Sequence, residues 1–328
     1  MQRLELISIE APFWADSGHS QTLWGHFLKS PELENPGLNF EVDLPDGDRL
    51  FCFYHPGHTD IVVSLYHGLS GDMNADYMQR TGILCRELGH TVVLVNHRGA
   101  GPGLKVARNP YHSGRAEDVS EVIKALRQKF PNKKQIAVGY SMSGGIVLCL
   151  GGGFRGEHKP DGIITVNAPL NLDRGARMLR TGFNRIYDVR FVYRLRQNVE
   201  MKYREGLIQE RYQIPWWATL NDFDKIYTAP AGGFKDRTEY YESCSAIHYL
   251  HNIDVPTYML SSADDPFVKI EDYQGVDFRD NISLHIEKRG GHMGYLTKKK
   301  TPLGSYRWMD YYLREAIKAM EQEFTAGS

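Results

Sequence analysis

The apolar positions of this chain fall into short continuous runs separated by stretches of helical period. Ile61 to Tyr66, His90 to Asn96, Ile136 to Val138 and Gly162 to Asn167 are short apolar runs, several ending in glycine-bearing or polar turns, which predicts strands buried on both faces. Between them, residues 74–88 and 115–130 read as helices. In the second, Val119, Val122, Ile123, Leu126 and Phe130 recur at helical spacing. From Gly144 onward, Ile146, Val147, Leu148 and Leu150 predict a buried helix closed by Gly151-Gly152-Gly153. Strand and helix alternate from 61 to 169. That order predicts an α/β fold: a mostly parallel central sheet with right-handed crossovers, helices on both faces, and a ligand site at the carboxyl ends of the strands.

The flanks complete the plan. Phe40, Val42 and Leu44, then Leu50, Cys52 and Tyr54, alternate around Pro45-Asp46-Gly47-Asp48, which predicts a β-hairpin. The leader, residues 1–36, carries Phe13, Trp14 and Trp24 and is expected to pack on the core. Residues 171–250 show no core strand, are rich in Arg and Tyr, and read as a mostly helical cap insertion over the strand ends. Trp216, Trp217, Phe223 and Tyr227 are expected to supply its apolar walls. Sheet structure returns at Val255 to Leu260 and Ser283 to Glu287, and an amphipathic helix with Trp308, Tyr312, Ile317 and Met320 closes the chain. The expected division is thus a core of 1–170 and 251–328 with a cap of 171–250.

Composition narrows the function classes. The 328 residues are 41% hydrophobic and 24% charged, and 39 basic against 40 acidic residues leave a net charge of −1. That balance speaks against a general nucleic-acid binder. No apolar stretch has the length of a signal peptide or a membrane span, so a cytoplasmic location without stable membrane insertion is expected. Cys52, Cys85, Cys149 and Cys244 are scattered and read as reduced structural thiols. His248 and His251, three apart, lack a carboxylate or thiol in register, so no metal is expected. The glycines of His97-Arg98-Gly99-Ala100-Gly101-Pro102-Gly103 match neither nucleotide fingerprint. No cofactor is expected.

The chemistry gathers where strands end. Gly139-Tyr140-Ser141-Met142-Ser143 joins a strand to a helix, and a turn that tight needs small residues two before and two after the serine. Such a nucleophile elbow holds Ser141 Oγ at the sheet's carboxyl end, with a helix N-terminus behind it. A serine merely capping a structural helix is the plainer reading of the same residues. Ser143 as nucleophile would need a glycine at 141. His67-Gly68-Leu69 at the end of the first core strand is placed to give a second oxyanion N–H, so the backbone N–H groups of Leu69 and Met142 are the candidate oxyanion hole. Asp264-Asp265-Pro266 and Gly290-Gly291-His292 follow the last two core strands, giving the chain order serine, aspartate, histidine. In this reading Ser141 attacks a carbonyl, His292 carries the proton, and Asp265 orients the imidazole. Asp264 is the alternative acid, and Asp265 is preferred because it touches the proline.

Taken as a set, these motifs resemble the YheT/EMB8 branch of the alpha/beta-hydrolases. The likeness covers Ser17 to Leu23, His67 to Gly71, Asn96 to Gly99, Tyr111 to Gly114, Gly139 to Gly145, Ala263 to Phe267 and Gly290 to Gly294, and so spans nearly the whole chain. Ser143 departs from the family's usual glycine; the elbow is expected to survive, slightly strained. The resemblance implies an alpha/beta-hydrolase fold and hydrolysis of carboxylic esters, with some members acting on lipids or transferring acyl groups to alcohols. A small-molecule ester of short to medium acyl chain is the expected substrate. Acyl transfer and a catalytically silent binding fold are the alternatives.

Overall fold

The computed structural model describes residues 3–326; Met1, Gln2, Gly327 and Ser328, the outer ends of the expected core segments, lie outside the described residues. Eight strands form one sheet: β1 (Leu38–Asp43), β2 (Arg49–His55), β3 (Ile61–Tyr66), β4 (Thr91–Asn96), β5 (Lys134–Tyr140), β6 (Gly162–Val166), β7 (Thr257–Ser262) and β8 (Ile282–Glu287). Their spatial order is β1-β2-β4-β3-β5-β6-β7-β8. The first two pairings are antiparallel, because β1 and β2 are a hairpin whose second strand also joins β4. Every later pairing is parallel. The α/β expectation is therefore met, and the alternating run 39–55 is the sheet's antiparallel margin.

Every residue of β3, β4, β6 and β7 is buried, which is why these strands are written as continuous apolar runs. Helices α1 (Gly18–Phe27), α2 (Asp76–Glu87), α3 (Ala116–Lys129) and α4 (Met142–Gly151) precede β6, and α10 (Trp308–Ala326) closes the chain. One apolar cluster packs α3 and α4 on one sheet face; the other packs α2 and α10 on the opposite face. All four cysteines are buried free thiols.

Between β6 and β7 the chain is helical: α5 (Leu172–Leu179), α6 (Arg185–Arg204), α7 (Leu220–Phe223), a π-helical turn at Asp224–Thr228, α8 (Ala229–Ala231) and α9 (Arg237–Ser243). One expectation about aromatic residues needs correction. Trp216 and Trp217 are not walls; they stand 82% and 64% exposed, while Phe223 and Tyr227 are buried. The leader packs on the core through Leu4, Leu6 and Ile9, although Phe13 is exposed and Trp14 and Trp24 are only about half covered. It is Gly18, Gln21, Thr22 and Gly25 that dock α1 on the protein, for reasons that belong to the site.

Candidate active site

β5 runs without a loop into α4, and Ser141 takes the whole turn with φ 51° and ψ −124°. A side chain in that left-handed region is strained, and such strain persists only when the surroundings fix it. They do. The Ser141 N–H donates to the Val166 carbonyl at 2.8 Å. A Cβ on Gly139 would lie 2.6 Å from the Ser143 carbonyl oxygen, and one on Gly144 would lie 2.7 Å from Ala168 Cβ, so strand and helix approach as closely as glycine permits.

Ser141 Oγ is 2.8 Å from His292 Nε2, and His292 Nδ1 is 2.8 Å from Asp265 Oδ2. A carboxylate only accepts, so Nδ1 carries the proton and Nε2 presents its lone pair to the serine hydroxyl. Asp265 is 2% exposed. Its Oδ1 accepts the N–H groups of Phe267 and Val268 at 2.8 and 3.1 Å, and its Oδ2 accepts Asn167 Nδ2–H at 2.6 Å. Asp264 faces elsewhere: its Oδ1 accepts the N–H groups of Gly290 and Gly291 and shapes the loop that carries His292.

On the other side of Ser141, Leu69 and Met142 line the cavity that also contains Ser141 and His292. Met142 opens α4, whose first N–H groups have no partner within the helix. Gly68 sits against Ser141, since a Cβ there would be 3.1 Å from the serine Cβ. The His67 ring accepts the His97 N–H at Nε2 and therefore donates from Nδ1 to the Gly68 carbonyl at 2.8 Å. Burial pushes His67 down to about 4 and His97 well below its ordinary range, so both rings are neutral. The extra hydroxyl of Ser143 is fully engaged: it donates to the His67 carbonyl and accepts from His97 Nε2 and Tyr111 Oη at 2.8 and 2.9 Å.

Three supports were not read from the sequence. Asn167, held at φ 49° just beyond β6, bridges Asp265 to the Gly291 carbonyl while its Oδ1 accepts from Met293 N and Tyr295 Oη. Thr22 Oγ1 accepts the His292 N–H at 2.8 Å. Gln21 is buried and bonds both Leu296 N and Leu296 O. The close approaches of Gly18 to Asp264 and Gly25 to Gly294 let α1 lie on the histidine loop. The leader's Ser-Gly-His-Ser-Gln-Thr motif is the legible trace of this contact.

Two cavities meet at Ser141 and His292. The inner one runs beneath the helices that follow β6 and is lined by apolar groups such as Leu172, Leu179, Phe191 and Leu220. It includes one buried carboxyl, Asp224, which burial raises to about 6 and which accepts Tyr241 Oη–H at 2.7 Å. The outer one opens to the surface between Thr22, His26, Asp72, Arg190 and Arg194. An ester lying across Ser141 would thus have a separate channel for each of its two arms.

A family model described as alpha/beta hydrolase fold matches residues 61–299. The chain belongs to this family. Among its relatives, the Escherichia coli protein YheT is 28% identical over 267 residues, covering 78% of this chain and 77% of its own. The human phospholipase ABHD3 is 25% identical, covering 94% and 78%, and a medium-chain fatty acid ethyl ester synthase/esterase of Saccharomyces cerevisiae is 27% identical, covering 83% and 62%. The solved structure of the Pyrococcus furiosus esterase Pf2001 superposes with a TM-score of 0.56 over 89% of this chain and 99% of that one, at 16% identity, and so shares the fold. YheT and EMB8 are both among the relatives, as the motifs imply.

Proposed function

We propose that this hydrolase cleaves small-molecule carboxylic esters of short to medium acyl chain through an acyl-enzyme, with Ser141 as nucleophile, His292 as base and then acid, and Asp265 as the orienting carboxylate. The observation that carries the reading is the unbroken chain of two 2.8 Å contacts from Ser141 through His292 to Asp265. Relatives named for ester or lipid hydrolysis support it.

In the first half-reaction Ser141 Oγ attacks the ester carbonyl carbon as His292 Nε2 takes the hydroxyl proton. The negative oxygen forms against the N–H groups of Leu69 and Met142, which together are worth a few kcal/mol, roughly 3 for one good donor. The intermediate collapses, the C–O bond to the alcohol breaks, and His292 returns the proton to the departing oxygen. Water then attacks the acyl-enzyme with the same residues in the same roles and releases the acid. Asp265 stays ionised and holds the imidazolium. No step calls for a cofactor.

Residues 171–250 act in this reading as a cap over the strand ends, and the apolar inner cavity beneath them takes the acyl arm. Acyl transfer to an alcohol is the second reading, favoured by the name of the yeast relative. It uses the same acyl-enzyme with an alcohol in place of water. Ethyl ester formed from a p-nitrophenyl ester in the presence of ethanol, measured against free acid, tests it. Labelling by a fluorophosphonate probe, present in the wild type and absent in Ser141→Ala, tests the nucleophile.

A further inference from the structure

Helix α6 turns apolar side chains in two directions. Tyr187, Val192 and Val199 are buried, but Phe183 just before the helix and Ile186, Val189 and Tyr193 on it are between 49% and 63% exposed. Spacings of three, three and four put these four on one outward stripe. The exposed Trp216 and Trp217 follow in the connection from α6 to α7. The uncovered stripe of Phe183, Ile186, Val189 and Tyr193 is a concentration of large apolar groups that marks an interaction surface.

Charge indicates what covers it. The whole chain has a net charge of −1, yet residues 172–196 carry seven arginines against two aspartates. Asp173 is spent on Arg177, and Asp188 is buried and accepts the Leu220 N–H. Among the described residues no carboxylate pairs with Arg185, Arg190 or Arg194. Arg190 follows Ile186 by four and precedes Tyr193 by three, so the cation borders the stripe. Arg190 and Arg194 also border the outer cavity that reaches Ser141 and His292. No described helix is long and apolar enough to cross a membrane.

We propose that the outer face of α6, with Trp216 and Trp217, docks on an anionic lipid surface and so sets the mouth of the outer cavity against the layer in which apolar esters dissolve. Exposed aromatic and aliphatic groups enter the boundary between headgroups and acyl chains, while arginines meet the lipid phosphates. An acidic protein would answer the arginines alone. The surface is independent of the ester chemistry.

Flotation of the full chain with vesicles of phosphatidylcholine, and of an equal mixture with phosphatidylglycerol, tests the proposal. Binding is expected to the mixture, to weaken as salt rises, and to fall by roughly tenfold or more in Ile186→Glu/Val189→Glu. That double variant should keep its melting temperature and its turnover of a soluble short-chain ester, because both residues point to solvent. Ser141→Ala should bind vesicles like the wild type, so this result and the test of the nucleophile stand apart. Absence of binding to the anionic mixture overturns the proposal, as does binding that the double variant leaves unchanged. A dimer in sedimentation that the double variant dissolves, without vesicle binding, assigns the stripe to a second copy and also overturns it.

Discussion

Asp264 and Asp265 are adjacent in the chain and serve different loops: Asp265 Oδ2 meets His292 Nδ1 at 2.8 Å, whereas Asp264 Oδ1 accepts two glycine N–H groups of the histidine loop. Asp265→Asn would present the imidazole with an amide in place of a charge. It should lower kcat by about a thousandfold or more. Asp264→Asn keeps an acceptor oxygen for Gly290 and Gly291 and should cost about 1 kcal/mol of stability, with activity within about tenfold of wild type. Steady-state kinetics and thermal melting of both variants check this, and equal losses of activity would contradict it.

Asn167 is a positioning residue with its own signature. Asn167→Asp would set a second carboxylate where the 2.6 Å donor to Asp265 now stands. Two carboxylates that close share a proton, so the acid limb of kcat/KM against pH should move to higher pH. A fall in rate with an unmoved limb would make Asn167 merely structural.

Ser143 holds the His67 carbonyl and therefore the strand end that leads to Leu69. Ser143→Ala would leave His97 Nε2–H buried without a partner and should cost roughly 1–3 kcal/mol. A melting temperature equal to the wild type would show that the hydroxyl only fills space.

Acid stability follows from buried neutral histidines. His67 is pushed down to about 4, and His97 and His112 well below 6.5, each chiefly by burial. Below pH 6.5 the unfolded chain takes up protons that the folded chain refuses. Stability should fall as pH drops from 6.5 toward 4, by about 1.4 kcal/mol per pH unit for each fully linked histidine. Asp224, raised to about 6, keeps a proton in the fold and opposes one of them between its ordinary 3.8 and 6. Chemical denaturation at pH 7, 6 and 5 measures the slope, and a flat profile would contradict it.

The core was legible because its physics is local. A strand buried on both faces is an unbroken apolar run, as in β3 and β4, and the motif residues stand where such runs end. The supports of the site were not legible. Thr22 reaches His292 across 270 positions of chain, and Asn167 reaches Asp265 across 98. The leader motif around Thr22 marks that stretch as special, but neither residue's neighbourhood names the partner it meets. Trp216 and Trp217 misled for the opposite reason: large apolar groups are usually covered, and only the fold shows that these are not.

Ester turnover by this protein is expected to depend on Ser141. Hydrolysis of a p-nitrophenyl ester series from acetate to palmitate, by wild type and by Ser141→Ala with equal melting temperatures, tests it most directly. Serine-dependent turnover with an optimum at short or medium chains is the predicted result. Equal activity of the two proteins, or no turnover of any ester by the wild type, would contradict it.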